Sequence, residues 1–329
     1  MKKILFIAFI AFTIFSCSSE SSSSSSSSGQ WELMNFPSDV ITANGNTLFS
    51  VSSNTIIKRS VDNGDNWSTI NTGLTNVDSY SLFSISGTIY LSAYKNGVSG
   101  VTLSTTKYYK STDNGDTWVQ TWSSLQNQGS GLPSKIFQLG SKLIGATNGS
   151  SPDIFCSNNN GLTWDLSNNS LISPLRFNFL YDGSNYYFVT MESTYKSTDG
   201  VNYSILNNCP SVWLSVSTFV GNKIYLSVGI NEGVKMSNDG GLTWNAVNQG
   251  LEFLDTYYET VSSMHTKNQS VYAGCEGGGV FKLSANSSTW SEIGNPDDDI
   301  YVSGTVYNIQ TTDNYVFAVT SDGVYSHSI

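Results

Sequence analysis

A nine-residue pattern recurs along the chain and constrains the fold more than any other feature. It reads RSVDNGDNW at 59–67, KSTDNGDTW at 110–118, CSNNNGLTW at 156–164 and MSNDGGLTW at 236–244. Weaker copies extend the series to seven serines, spaced by 40 to 51 residues: Ser60, Ser111, Ser157, Ser197, Ser237, Ser284 and Ser328. Because this period falls in the range of propeller blades, the pattern indicates a repeated unit of architecture.

Each period contains four short segments with the composition of β-strands. Between Ser197 and Ser237, the runs VWLSVSTF, KIYLSVG and GVKMS are rich in β-branched and aromatic residues and are bounded by Gly or Asn. The segment TWNAV after the motif supplies the fourth strand. Four strands per period make one propeller blade. The sequence therefore predicts an all-β fold, a seven-bladed β-propeller of four-stranded antiparallel blades.

The motif has the chemistry of a hairpin between the third and fourth strands of a blade. Asp or Asn two residues after the serine can bond to the local backbone, and Gly four residues after it permits a left-handed turn. Trp seven residues after the serine offers a large ring to bury between blades. The predicted structural residues are Ser60, Asp62, Gly64, Trp67, Ser111, Asp113, Gly115, Trp118, Ser157, Asn159, Gly161, Trp164, Ser237, Asp239, Gly241 and Trp244.

The pattern S-x-D-x-G-x-x-W resembles the Asp-box, or BNR, repeat, and the match covers essentially all of 30–329. This repeat occurs in sialidases, sortilin-type receptors, xyloglucanases and photosystem assembly factors. The resemblance implies that the box is a structural turn, which marks the fold more than the activity. Two copies depart from the pattern: STDGVNY at 197–203 has Tyr203 in place of Trp, and SANSSTW at 284–290 has lost its Gly.

Only Ile329 follows the seventh serine, so the fourth strand of the last blade is missing from the C-terminal end. The segment WELMNF at 31–36 has the missing sequence, with Trp31 in the position of the box tryptophan. We therefore expect the N-terminal strand to close the last blade. Such closure removes the open edge of the ring.

The first residues, MKKILFIAFIAFTIFSC, have the layout of a secretory signal, with two lysines followed by an apolar run. Ile14, Phe15, Ser16 and Cys17 resemble the bacterial lipobox, which implies cleavage before Cys17 and lipidation of its thiol. The chain is thus divided into a signal peptide at 1–16, a lipidated, serine-rich tether at 17–29 and a propeller at 30–329. Ser18 favours sorting of this cell-envelope lipoprotein to an outer membrane, which it contacts through the lipid anchor only.

Charge and cysteine content exclude several function classes. The formal net charge is −10, which argues against binding to nucleic acid or to anionic lipid. Two histidines, His265 and His327, are too few for a zinc or Ser-His-Asp site, so no metal and no cofactor are predicted. Cys156, Cys209 and Cys275 are interpreted as small core residues, with one disulfide between Cys156 and Cys209 left open.

The two rims of a propeller differ in the length of their connections. Turns between strands one and two, and between strands three and four, lie on one rim, here called the box rim. The other connections lie on the opposite rim, here called the loop rim, and include the long segments 95–106, 123–134, 249–259 and 294–300. Because binding residues commonly lie on loops held by a rigid scaffold, we expect the functional side to be the loop rim.

Acidic and aromatic residues are predicted to gather on the loop rim. Four acids occupy matching repeat positions in blades four to seven, and two tyrosines stand among the six acids that the inter-blade loops add: Glu252, Asp255, Glu259, Asp297, Asp298 and Asp299. Clustered carboxylates repel one another unless something positive intervenes, so this rim suits a cationic partner, a divalent ion or a carbohydrate. A solvated rim without a ligand is the alternative. The predicted ligand-binding residues are Glu192, Glu232, Glu276, Asp322, Asp255, Tyr257 and Tyr258.

The sequence favours a monomeric, non-enzymatic binding module for a protein or glycan partner. The alternative is a glycoside hydrolase that uses a carboxylate pair on the loop rim, with Glu232, Glu276 and Asp322 as the first catalytic candidates. The sialidase resemblance implies three arginines on the substrate, whereas this chain has only Arg59 and Arg176, so sialidase activity is not expected. The photosystem assembly propellers imply an arginine-rich patch, which is also missing.

Overall fold

A computed structural model gives the architecture of the chain. It describes residues 29–34, 41–52, 55–85, 87–98, 105–123, 135–146, 153–159, 163–167, 177–190, 193–206, 210, 216–229, 232–253, 257–258, 260–294, 300 and 302–329. The predicted signal peptide, Cys17 and nearly all of the tether lie outside these ranges. Within them, no helix has the length and apolar character needed to cross a bilayer.

The secondary structure of the described residues consists of strands, which start with β1 (Glu32–Leu33). Blade 1 contains β2 (Ile41–Asn44), β3 (Thr47–Ser52), β4 (Ile56–Ser60) and β5 (Ser68–Ile70). Blade 2 contains β6 (Ser79–Ile85), β7 (Thr88–Lys95), β8 (Thr105–Ser111) and β9 (Val119–Ser123). Blade 3 contains β10 (Lys135–Leu139), β11 (Lys142–Ala146), β12 (Ile154–Ser157) and β13 (Asp165–Leu166). Blade 4 contains β14 (Phe177–Tyr181), β15 (Tyr186–Thr190), β16 (Thr194–Ser197) and β17 (Ser204–Ile205).

The second half of the chain continues the same arrangement. Blade 5 contains β18 (Ser217–Val220), β19 (Lys223–Ser227), β20 (Val234–Ser237) and β21 (Asn245–Ala246). A separate hairpin pairs β22 (Glu252–Phe253) with β23 (Tyr257–Tyr258). Blade 6 contains β24 (Val261–Lys267), β25 (Ser270–Cys275), β26 (Val280–Leu283) and β27 (Ser291–Glu292). Blade 7 contains β28 (Val306–Thr311), β29 (Tyr315–Thr320), β30 (Val324–Ser328) and β1. The predicted seven four-stranded antiparallel blades are confirmed.

The N-terminal strand closes blade 7, as the sequence predicts. β1 pairs antiparallel with β30, with Glu32 opposite Ser326 and Leu33 opposite Tyr325. Trp31 is 1% exposed, and its indole Nε1–H donates to the Ile293 carbonyl oxygen of blade 6 at 2.7 Å. The closing strand therefore joins the last two blades as well as the two ends of the ring.

The first strand of each blade is the innermost, and no other described strand pairs with its inner edge. Unpaired backbone carbonyls on such an edge need other hydrogen-bond donors. Among the described residues, a polar side chain of one blade donates to a carbonyl oxygen on the innermost strand of the next at five junctions: Thr42 to Leu82 at 3.2 Å, Asn178 to Ser217 at 2.9 Å, Ser227 to Val261 at 2.9 Å, Ser262 to Val306 at 2.9 Å, and Asn308 to Ile41 at 3.4 Å. These bonds fix how adjacent blades sit around the axis.

Apolar cores fill the wedges between neighbouring blades. One of them joins blades 3 and 4 through Ile144, Phe179, Phe188 and Tyr203. Cys156 and Cys275 are buried free thiols, so both fit the interpretation as core residues. Cys209, the other half of the disulfide left open, lies outside the described residues.

Candidate functional site

The box aspartates accept hydrogen bonds from residues of their own loops. The Ser60 hydroxyl donates to Asp62 Oδ1 at 2.7 Å and accepts from the Gly64 backbone N–H at 2.8 Å. The Asp62 carboxylate also accepts from the backbone N–H of Asn66 at 3.0 Å. These bonds, the one from Ser60 foremost, lower the pKa of Asp62 to about 2. The carboxylate is thus committed to the turn as an ionised acceptor.

The same geometry recurs around the ring. Ser111 and Ser237 make equivalent bonds to Asp113 and Asp239, whose pKa values are also lowered to about 2, chiefly by a hydroxyl of the same loop. In blade 3 the equivalent bond joins Ser157 to Asn159, while Gly161 lies outside the described residues.

Basic side chains on the box rim bind the box loop of the following blade. Arg59 Nη1 donates to the Asn114 carbonyl oxygen at 2.8 Å and pairs with Asp116 at 2.7 Å. Lys196 Nζ donates to the Gly240 carbonyl oxygen at 3.4 Å, at the position equivalent to Asn114. Arg59 is therefore a link between blades, on the rim opposite the predicted site. Arg176 lies outside the described residues.

Three of the predicted ligand-binding acids occupy corresponding turns on the loop rim. Glu232, Glu276 and Asp322 lie between the second and third strands of blades 5, 6 and 7, and their side chains are exposed. Glu232 pairs with Lys235 at 3.1 Å. Asp322 Oδ2 accepts from the Ser303 hydroxyl at 2.8 Å. The Glu232 and Asp322 carboxylates thus have different partners.

The other predicted residues are less fully defined. Glu192 and Asp255 lie outside the described residues. The backbones of Tyr257 and Tyr258 form β23, and Tyr258 is half-buried opposite Glu252. This hairpin lies in the connection between blades 5 and 6.

One segment, 302–305, ties two of the acidic turns together. The Thr305 hydroxyl donates to the Glu276 carbonyl oxygen at 3.1 Å, and Ser303 holds Asp322. The Glu232 turn is held separately, because Asn248 donates from Nδ2 to the Glu232 carbonyl oxygen at 3.0 Å. In the described part of the chain, no three His, Cys, Asp or Glu side chains come close enough together to hold a metal ion.

Tyr307 is a loop-rim residue that the sequence reasoning missed. It lies on the innermost strand of blade 7, yet its side chain is 61% exposed. The pairing of β28 with β29 shifts register between Val306 and Asn308, so Tyr307 is the extra residue of a β-bulge. Bulges re-aim side chains and are frequent beside functional sites. Because Val306 pairs with Thr320, the bulge lies close to the Asp322 turn.

We call Glu232, Glu276, Asp322 and Tyr307 the acidic face. It combines three exposed carboxylates with one exposed aromatic ring on three consecutive blades. The signal for the carboxylates was their repeat position. The only sequence signal for Tyr307 was an aromatic residue at the start of an innermost strand, and that signal does not distinguish an exposed ring from a buried one.

A cavity lies on the axis, at the box-rim end. It has a volume of about 520 Å³ and is lined by the last residues of the innermost strands of blades 2 to 6. His265 forms part of its wall and bonds through Nε2 to the Thr311 hydroxyl at 2.9 Å. Burial, assisted by the nearby Lys267 charge, lowers the pKa of His265 to about 4. The imidazole is therefore neutral at pH 7.

Protonation of His265 is expected to destabilise the fold in mild acid. Its folded pKa lies below its ordinary value of 6.5, so between pH 6.5 and 4 the unfolded chain binds more protons than the folded chain. Stability is therefore lost as the pH falls through this window, by about 1–2 kcal/mol at pH 5. Urea unfolding at pH 7 and pH 5 measures the loss. The loss should shrink in His265→Gln, and an unchanged pH dependence in that variant would contradict the assignment.

The geometry defines the chain as a seven-bladed β-propeller with an exposed acidic face on the loop rim and an axial cavity at the box rim. No protein-family model matches the chain, and no curated protein sequence matches it. Among solved structures, it is similar to the protein YCF48 bound to a D1 peptide, with 17% identity and a TM-score of 0.65 over 92% of this chain and 98% of that one. YCF48 from Cyanidioschyzon merolae gives 14% identity and a TM-score of 0.62, over 91% and 99% of the two chains.

A third similar structure is PorZ of Porphyromonas gingivalis, described as an essential bacterial surface component of the type-IX secretion system. It gives 13% identity and a TM-score of 0.58, over 90% of this chain and 47% of that one. At identities this low, the three likenesses establish the shared propeller fold.

Proposed function

We propose that this protein is a non-enzymatic binding module of the cell envelope that binds a protein or glycan partner through the acidic face. The observation that carries the proposal is the exposed Tyr307 ring beside the Asp322 turn. The other residues of this innermost strand are buried or half-buried, and an exposed large aromatic ring among them loses favourable burial unless a partner covers it.

The chemistry of the acidic face favours a partner with lysine or arginine side chains. Carboxylates attract such cations from a distance, and an aromatic ring can hold one over its face. The chain as a whole carries a formal charge of −10, which strengthens the same attraction. A propeller of similar fold, YCF48, is described as bound to a peptide, which supports a protein partner as the first choice and a glycan as the second.

The location of the protein at a membrane is part of the same proposal. Residues 1–16 act as a signal peptide, Cys17 carries the lipid, and the serine-rich tether holds the Asp-box propeller away from an outer membrane. The prediction of a flexible tether rests on its composition, because a serine tract has almost no apolar content to bury. The acidic face would then be free to reach a partner in the envelope or outside the cell.

Neutralising the acidic face is expected to weaken partner binding at least tenfold. The test variant changes Glu232, Glu276 and Asp322 together to glutamine, with Tyr307→Ala as a second variant. Affinity is measured on arrays of lysine- and arginine-rich peptides and of glycans, and by cross-linking in cells. Removing charge should also flatten the salt dependence of binding, because screened attraction contributes less.

A matched control changes the same number of exposed acids elsewhere: Glu32→Gln, Asp65→Asn and Asp165→Asn. This control should bind as the unmodified protein does. Equal binding by the control and the acidic-face variant would overturn the proposal.

The glycoside hydrolase alternative makes a different prediction. It requires two carboxylates about 5 to 9.5 Å apart that flank a groove. Glu232 lies in blade 5 and is paired with Lys235. Asp322 lies in blade 7 and accepts a hydrogen bond from Ser303. Release of reducing sugar from a polysaccharide, abolished by one single-carboxylate variant, would favour the hydrolase over the binding module.

A further inference from the structure

The axial cavity is built from equivalent positions in five consecutive blades. Each innermost strand from blade 2 to blade 6 contributes residues from its last four positions before the turn on the box rim. The volume of about 520 Å³ falls within the range of about 300–1,000 Å³ that small-molecule sites occupy. The cavity lies at the opposite end of the axis from the acidic face, so the two regions are independent.

The described lining residues carry no formal charge, although the chain as a whole is strongly acidic. A charged ligand would lose its hydration here without gaining an ionic partner, and that loss is costly. The cavity therefore selects against ions. The lining residues are Phe83, Ser84, Ile136, Phe137, Gln138, Leu139, Asn178, Phe179, Leu180, Ser217, Thr218, Phe219, Met264, His265 and Thr266.

Some of the polar groups are already committed to the protein. Asn178 donates to the Ser217 carbonyl oxygen at 2.9 Å, and the Ser84 hydroxyl donates to Asn44 Oδ1 at 2.8 Å. Gln138 Nε2 donates to the Gly140 carbonyl oxygen at 3.1 Å. These bonds fix the positions of the wall side chains. They leave few of the donors of these side chains available to a ligand.

Other polar groups have no partner among the described residues. Thr218 is only 8% exposed, lines the cavity and makes no hydrogen bond through its hydroxyl there. The Thr266 hydroxyl and His265 Nδ1 are likewise without a bond in that part of the chain. Because these groups line the cavity and are not used by the described part of the protein, they can bond to a ligand that enters it.

Apolar surface completes the wall. Phe83, Phe137, Phe219 and Met264 are half-buried, and they leave part of their surface facing the cavity. A ligand that fits must therefore present both hydroxyl groups and an apolar face. Neutral sugars have this combination, because their ring carbons form an apolar surface between the hydroxyl groups.

We propose that the axial cavity at the box rim binds a neutral mono- or disaccharide. Thr218, Thr266 and His265 supply hydrogen bonds to its hydroxyl groups, and the phenylalanine rings of blades 2, 3 and 5 pack on its apolar face. This site is separate from the partner-binding surface proposed above and does not depend on it.

The test uses saturation-transfer NMR and calorimetric titration of the full chain with glucose, galactose, N-acetylglucosamine and their β1,4-linked disaccharides. At least one of these sugars is expected to bind in the millimolar range or tighter. Glucuronic acid and glucosamine, which are charged counterparts of similar size, are expected to bind at least tenfold more weakly. No binding of any neutral sugar, or equal binding of the charged ones, would overturn the proposal.

The double variant Thr218→Val/Thr266→Val removes the two free hydroxyls with little change in volume. No hydrogen bond within the described part of the protein is lost, so the unfolding midpoint should stay the same or rise. Sugar affinity should fall at least fivefold. Undiminished affinity would refute the assignment, as would loss of sugar binding in the acidic-face variant, since that result would place the sugar on the loop rim.

Discussion

Trp31→Ala is expected to lower the free energy of unfolding by about 3–5 kcal/mol, the range found for large aromatic residues removed from a core. The ring is 1% exposed and packs in a cluster with Val302, Val316 and Tyr325. Its N–H bond to the Ile293 carbonyl oxygen is lost as well. Because β1 pairs with β30 over only two residues, the Trp31 side chain is a major part of the attachment of the closing strand. Chemical unfolding measures the loss.

Two variants separate the contributions of Trp31. Trp31→Phe keeps an aromatic ring but leaves the Ile293 carbonyl without its indole donor, which costs about 1–3 kcal/mol. Leu33→Ala lies on the same strand, where its side chain is 51% exposed, so a loss below about 1 kcal/mol is expected. If Trp31→Ala costs no more than Leu33→Ala, the closing strand does not hold the ring together.

Gly250→Ala is expected to destabilise the fold by about 2–5 kcal/mol. Gly250 has φ +86°, a conformation that costs other residues roughly 1–2 kcal/mol. A β-carbon there would also overlap the carbonyl oxygen of Trp290. The Trp290 backbone cannot easily move away, because two hydrogen bonds hold this residue. Its backbone N–H donates to the Gln249 carbonyl oxygen at 2.8 Å, and its indole N–H donates to the Val247 carbonyl oxygen at 2.7 Å. Crowding of this kind adds about 1–3 kcal/mol.

Gly183→Ala is the matched control. Gly183 has φ +96°, but no other heavy atom lies within 4 Å of an added β-carbon. It should therefore show only the conformational cost of roughly 1–2 kcal/mol. The difference between the two unfolding free energies isolates the steric part. Equal values would mean that blades 5 and 6 are not in tight contact at Trp290.

The repeat was enough to predict the fold because its information is local. A period of 40 to 51 residues, four strand-like runs per period and a turn of Ser, Asp and Gly each depend on neighbours in sequence. The closing strand could be predicted by the same reasoning, because Trp31 repeats the box tryptophan. The placement of Glu232, Glu276 and Asp322 in corresponding turns also followed from counting along the period.

Contacts between blades could not be read in this way. The predicted role of the box glycine was a left-handed turn, and Gly115 does have φ +89°. The structure adds that Ile70 of the preceding blade would lie 2.8 Å from a β-carbon at Gly115. Arg59 is a similar case, because its partners Asn114 and Asp116 are more than 50 residues further along the chain.

By itself, the sequence determined the number of blades, their strands, the turn chemistry and the way the ring closes, because hydrogen bonding and burial within a blade depend on residues close together in the chain. Only the tertiary structure decided that a bulge turns Tyr307 outward and that the described residues of the axial wall carry no charge. Those features arise where strands from different repeats meet around one axis. Such a meeting depends on the packing of whole blades, which no single repeat encodes.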